Sequence, residues 1–333
     1  MIKFIKKTLL FCIPILVLTV LYVITDVFKV IYHYDSYYSK PHHIDINRSY
    51  ASVMTYINHY PEYNYDSFIL GNSRSLLYEI DTWKQHLSKE SSCMHLDDYR
   101  GSITGIRDKI AYIDKTGGAL NNVLLVLDYE ILSCLEQDNG YLFISPPVLK
   151  GNANFIRFHL QHLTAFLKPK FLMALADYNL FGKIRPYMKD CILIDNTTYI
   201  DRYNEIQESF AEEQIRNGTY YDARRISFFE GKQKPGTFST EQLGKKEISY
   251  LNEISDFFKK HNTSYKIVIS PLYDQVKLKR ETLSILQNIF GQENVFDFSG
   301  ENKWNADYHN YYEDSHYRPI VSAEIMDIIY KPL

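Results

Sequence analysis

Asn122-Val-Leu-Leu-Val-Leu-Asp-Tyr-Glu-Ile-Leu132 runs apolar from Val123 until its first charge at Asp128. A strand with one wet face alternates polar and apolar residues, so an unbroken run predicts a strand covered on both faces, as in a parallel sheet between helices. Upstream, Asp66-Ser-Phe-Ile-Leu-Gly71 is a short apolar run stopped by glycine, and 75–87 carries apolar residues at helical spacing. That reads strand, turn, helix. A second, weaker strand is expected over 93–96, ending near Gly101, and Ile103, Ile106, Ile110 and Ile113 mark one face of the helix after it.

Downstream the alternation stops over 137–240, where amphipathic stretches mix with loops, and then resumes. A helix is expected over 241–260, a buried strand over 265–270 stopped by Pro271, a helix over 277–290 and a last strand over 294–298. Pro319 suits the first turn of a final helix. The expected fold is α/β, a doubly wound parallel sheet of flavodoxin-like type with a largely helical insertion. Residues 61–333 form that domain, with the insertion at about 137–240.

At the other end, Lys3, Lys6 and Lys7 precede an uncharged run from Thr8 to Thr25. As a helix this run measures about 27 Å, close to the hydrocarbon thickness of a bilayer. Residues 1–32 are therefore expected to be a cytoplasmic tip and a transmembrane anchor, with the remainder translocated to the periplasmic or cell-surface side. A cleaved signal peptide is disfavoured, because the apolar stretch is long and no small-residue cleavage site follows it. Residues 33–60, polar at first and without helical period, are expected to form a stalk. His42, His43 and Asp45 lie there, and no second ligand group has metal-binding spacing to them, so no metal site is assigned.

The chain has 333 residues, 45% of them hydrophobic and 23% charged, which excludes a disordered or fibrous protein. A net charge of −3 supplies no general basic surface for the phosphate backbone, so nucleic acid is not an expected partner. The 29 tyrosines suit half-buried strands, interfaces, sugar-facing surfaces or simple core packing. Cys12 lies in the apolar segment and Cys93, Cys134 and Cys191 outside it, with no C-x-x-C pair to suggest zinc or redox chemistry.

In an open parallel sheet, ligands bind beyond the carboxyl ends of the strands. Gly71-Asn72-Ser73-Arg74 follows the first strand and sets Ser73 at the expected start of a helix, a position for a nucleophile or merely for an N-cap. Near the chain's end, Tyr311-Tyr-Glu-Asp-Ser-His-Tyr-Arg-Pro319 puts Glu313 and Asp314 just before His316. Either acid can orient the imidazole, whose other nitrogen would then take a serine proton.

These two blocks resemble those of the SGNH (GDSL-like) hydrolases, whose nucleophile turn follows strand one and whose Asp-x-x-His precedes the last helix. The resemblance is nearest to the membrane-anchored branch that includes the D-alanyl transfer and alginate O-acetylation proteins, and it spans about residues 60–330 without the insertion. It implies Ser73 as nucleophile and first oxyanion donor, His316 as base, and Gly101 as a second donor. The family's third donor is an asparagine, where this chain has Asp128, an acceptor when ionised. Asn72 is the expected substitute. The family's spacing selects Glu313 and its residue type Asp314, of which Asp314 is preferred. Arg74 has no family role, although a guanidinium there can bind a substrate anion.

The resemblance thus implies a serine esterase or O-acyltransferase for ester-linked acyl groups of a cell-surface glycan, without a cofactor. Its partners would be that glycan or an acyl donor, the membrane, and a membrane-bound O-acyltransferase. The alternative is an inactive relative that binds a glycan or an assembly partner, as Asp128 would suggest.

Overall fold

The computed structural model describes residues 2–38, 44–136, 139–151, 154–193 and 197–331. His42 and His43 lie outside them. The helices are α1 (Ile2–Thr25), α2 (Arg48–Tyr63), α3 (Ile80–Lys84), α4 (Ile103–Lys115), α5 (Tyr129–Leu132), α6 (Pro147–Lys150), α7 (Phe155–Phe166), α8 (Pro169–Phe181), α9 (Phe210–Arg216), α10 (Ala223–Ile226), α11 (Lys245–His261), α12 (Arg280–Phe290) and α13 (Pro319–Ile329). The strands are β1 (Ser67–Gly71), β2 (Cys93–His95), β3 (Asn122–Leu127), β4 (Thr198–Ile200), β5 (Glu205–Glu208), β6 (Ser264–Ile269) and β7 (Val295–Asp297).

Five strands form one wholly parallel sheet in the order β2-β1-β3-β6-β7. The apolar runs are continuous because both faces are covered. Phe68, Leu70, Val123, Leu125, Ile267 and Ile269 point into one core with α4, α11 and α12, while Ile69, Leu124, Val126 and Val268 point into the other, with α3 and α13. Side chains alternate across a strand, so each core receives every second residue.

Three expectations are corrected. The insertion holds short helices but also an antiparallel pair, β4–β5, too short to show a strand pattern in the sequence. The helix expected over 75–87 is a 3₁₀ turn, Ser75–Leu77, followed by the five-residue α3, because Glu79 is extended between them. Ser73 therefore does not sit at the N-terminus of a long helix.

The third correction concerns the stalk. Among the described residues, 33–60 is folded onto the domain. The Asp26 carboxylate accepts the backbone N–H groups of Val30 (2.9 Å), Ile31 (3.0 Å) and Tyr32 (3.0 Å) and the hydroxyl of Tyr34 (3.0 Å). Tyr37 and Tyr38 are buried, and α2, capped by Asn47 at the Tyr50 N–H, sends Tyr56 into the core beneath β1. Tyrosine hides its ring while its hydroxyl seeks a partner, so a tyrosine-rich stretch reads as polar even when packed. The segment expected to span a membrane forms α1, but among the described residues no helix is long and apolar enough to cross a membrane.

Candidate active site

β1 ends at Gly71, where a Cβ would lie 2.5 Å from the Val126 carbonyl oxygen of β3, so only glycine lets the strand turn there. The Asn72 carbonyl accepts the Ser75 N–H (2.9 Å) and the Ser75 hydroxyl (2.6 Å), closing the turn that presents Ser73.

The other half of the site is a loop between two buried tyrosines. Tyr311 and Tyr317 pair as a β-bridge, and the Tyr312 N–H donates to the His316 carbonyl at 2.8 Å. The Tyr311 hydroxyl donates to the Pro271 carbonyl beyond β6 (2.5 Å), while that of Tyr317 lies 3.3 Å from Ser270 Oγ and 3.2 Å from the Tyr78 hydroxyl. Residues 313–316 are thereby held over the carboxyl ends of the strands.

The two halves meet. Ser73 Oγ is 2.6 Å from His316 Nε2, and His316 Nδ1 is hydrogen-bonded to Glu313 Oε1. The second Glu313 oxygen accepts the Ser315 N–H (3.1 Å) and hydroxyl (2.9 Å). Burial alone would push the Glu313 carboxyl up, but the hydrogen bonds from His316 and Ser315 prevail and hold it at about 2. An ionised Glu313 favours the tautomer with a proton on Nδ1, which leaves Nε2 free to accept the serine proton.

Asp314, the acid preferred on residue type, is elsewhere. Its carboxylate pairs with Lys232 at 2.9 Å. The spacing of the acid block, three residues before the histidine, was the better guide: it brings Glu313 back to the ring.

No family model matches this chain, and no curated protein matches it.

The remaining expected site residues take other places. Asp128 caps α5, with Oδ1 accepting the N–H groups of Glu130 and Ile131, both at 2.9 Å. Its Oδ2 accepts from Asn72 Nδ2 (2.7 Å) and from the Arg74 guanidinium (2.9 Å). Its negative charge is thus spent on a buried cation. One hydrogen of Asn72 Nδ2 goes to Asp128, and its Oδ1 accepts the Arg74 N–H (3.0 Å), so the amide is oriented by the Asp128–Arg74 pair. Arg74 is buried, and not aimed at a substrate. It bridges Asp128, Glu130 Oε2 (2.8 Å) and, through Nε, the Ser315 carbonyl (2.9 Å). Burial opposes its charge, but the two carboxylates raise its pKa above the ordinary value.

Gly101 packs directly on the Ser73 turn: a Cβ there would lie 3.1 Å from the Gly71 oxygen and 3.2 Å from the Asn72 nitrogen. No acceptor among the described residues takes the backbone N–H of Ser73 or of Gly101. Both are candidate donors for a developing oxyanion.

Ser73 and His316 open into a cavity of about 600 Å³. One wall comes from the insertion, through Tyr199, Ile206, Ser209, Glu212 and Arg216. Glu212 is fixed there by both arms of Arg318 (2.8 Å each) and by the Tyr312 hydroxyl (2.8 Å). No local pattern marks this wall, since the pairing of Glu212 with Arg318 joins residues 106 apart.

Proposed function

We propose that this protein is a membrane-anchored, extracytoplasmic serine esterase or O-acyltransferase of SGNH-like type, acting on ester-linked acyl groups of a cell-surface glycan. The observation that carries the reading is the chain of contacts from Ser73 Oγ to His316 Nε2 at 2.6 Å and from His316 Nδ1 to Glu313. Ser73 Oγ attacks the ester carbonyl while its proton passes to Nε2, and Glu313 stabilises the imidazolium that results. The oxygen that gains charge is met by the N–H groups of Ser73 and Gly101. Collapse breaks the ester bond as His316 returns the proton to the leaving alcohol, and the acyl group stays on Ser73. Water or a sugar hydroxyl, deprotonated by His316, then takes it up.

The cavity wall supports a carbohydrate substrate, because Tyr99, Tyr199 and Tyr312 line it together with hydroxyl and charged side chains. Support for an inactive binding protein weakens, since Asp128 is turned away from the nucleophile and neutralised. On α1, Leu16, Val17, Val20 and Ile24 are exposed apolar side chains, which suit contact with lipid.

A fluorophosphonate probe tests the reading, because it reacts with activated serines even when turnover is slow. The folded full chain should acquire one adduct, located by mass spectrometry at Ser73 and lost in Ser73→Ala and His316→Ala. Absence of an adduct would end the enzymatic reading.

A further inference from the structure

Among the described residues, most of the large apolar side chains left exposed are gathered on α1 and on the helices packed beside it. Besides those of α1, they lie mainly on the hairpin of α7 and α8, where Phe155, Ile156, Leu160, Met173, Leu180 and Phe181 are each more than half exposed. Phe228, Phe238, Ile320 and Ile328 stand apart from that region in the fold. A patch of this kind on a soluble face would be a liability, and its concentration marks a contact surface.

The hairpin is fixed to the end of α1. The Tyr22 ring meets Phe166 with centroids 5.5 Å apart, and Phe28 stacks on Phe171 at 5.4 Å. Between α1 and α7 runs an apolar cleft of about 640 Å³, lined by Val23, Val148, Ile156, Leu160 and Leu163 among others. The exposed apolar faces of α1 and of α7 therefore meet across this cleft, and α8 continues from α7 in the hairpin. Charge points the same way. Residues 147–190 carry seven Lys or Arg (150, 157, 168, 170, 183, 185, 189) against two acidic residues, Asp177 and Asp190, which pair with Arg185 and Lys170, and although Lys150 pairs with Asp108 a basic surplus remains in a chain whose net charge is −3. Exposed aromatic and aliphatic residues with a local basic surplus match a helix lying in the interface of an anionic bilayer.

We propose that the α7–α8 hairpin is a second membrane contact, seated in the headgroup–acyl boundary of an anionic bilayer beside α1. With 12 and 13 residues the two helices measure about 18 and 20 Å, too short to span, so they lie on the surface. The proposal rests on the anchor reading for the position of α1, and a two-point attachment would fix the orientation of the Ser73 cavity above the lipid. The asymmetry of charge selects lipid over a neutral apolar partner.

The test uses the full chain in phosphatidylcholine–phosphatidylglycerol vesicles with brominated acyl chains, which quench tryptophan on contact. The native Trp83 and Trp304 are buried and give a common background. Single variants Phe155→Trp, Leu180→Trp, Val20→Trp on α1 and Phe238→Trp as control replace exposed side chains, so the fold is undisturbed. Loss of the added fluorescence is expected at positions 155, 180 and 20 and not at 238. Quenching at 20 alone overturns the hairpin contact and leaves the anchor standing. Quenching at 155 and 180 without 20 keeps the hairpin and overturns the anchor. No quenching anywhere, or quenching at 238 as strong as on the hairpin, overturns the hairpin proposal.

Discussion

Arg74 Nε donates a 2.9 Å hydrogen bond to the carbonyl oxygen of Ser315. The residue after the serine thereby holds the residue before the histidine, and two loops from opposite ends of the chain are fastened by a side chain that touches neither reacting atom. Its other arm is anchored to Asp128 and Glu130, so the tether is rigid at both ends.

Arg74→Lys keeps the charge beside Asp128 but cannot also reach Ser315. Labelling of Ser73 by the fluorophosphonate probe is expected to slow about tenfold, the worth of roughly one charge-assisted hydrogen bond. Arg74→Ala leaves Asp128 buried without its cation and should destabilise the fold by about 3–5 kcal/mol. Thermal unfolding and labelling rates, measured together, separate the two. Equal rates in wild type and Arg74→Lys would remove the positioning role.

Glu313→Gln is expected to lower the labelling rate by about 10³- to 10⁴-fold, because an amide no longer favours the Nδ1–H tautomer or stabilises the imidazolium. Asp314→Asn only loses the contact with Lys232 and should stay within about twofold of wild type, as exposed ion pairs contribute little. The reverse ranking would move the acid role to Asp314.

What the sequence disclosed follows from where the deciding forces act. β1, β3 and β6 were legible because burial on both faces writes itself as an apolar run. Ser73 and His316 were legible because strand ends and a loop before a helix are local features. The role of Asp128 was not, since its partner Arg74 lies 54 residues away and residue type alone suggested a bare acceptor beside the nucleophile. The packed course of residues 33–38 and 44–60 was hidden for a different reason: tyrosine rings bury without looking apolar, and the Asp26 carboxylate that holds the turn is a single residue. The apolar spacing over 75–87 reflects Tyr78, Ile80 and Trp83 entering the second core, which a broken helix does as well as a continuous one.

Glu205, at the start of β5, predicts a pH-dependent stability. Burial, reinforced by Glu79 and Asp81, raises its carboxyl from 4.5 to about 7, against the opposing 2.9 Å hydrogen bond from the Ile80 N–H. The folded value lies above the unfolded one, so its favourable contribution is complete below about 4.5 and is lost as pH rises through about 7. The loss is on the order of 3 kcal/mol. Glu205→Gln removes this dependence. Buried His95, 3.9 Å from Glu205, is held neutral with its pKa lowered to about 4, so in the folded state it does not titrate across neutral pH. Melting curves across neutral pH should show the Gln variant gaining on wild type as pH rises, and parallel curves would refute the assignment.

Gly71 and Gly101 both flank the Ser73 turn, yet their alanine variants are expected to fail differently. At Gly71 the added Cβ would meet the Val126 carbonyl oxygen at 2.5 Å, backbone against backbone in the middle of the sheet, and the strand pair itself must yield. Gly71→Ala should therefore destabilise the whole domain. At Gly101 the nearest atoms are at 3.1 and 3.2 Å and belong to the turn, so relief requires only a few tenths of an ångström. That shift is small for stability but large for a hydrogen bond aimed at a developing charge, where loss of one donor costs about a hundredfold or more in rate. Gly101→Ala is expected to melt within a few degrees of wild type while labelling at Ser73 falls about a hundredfold. Unchanged labelling in a folded Gly101→Ala protein would show that its N–H does not serve the oxyanion, and would leave Ser73 with its own amide as the donor on that side.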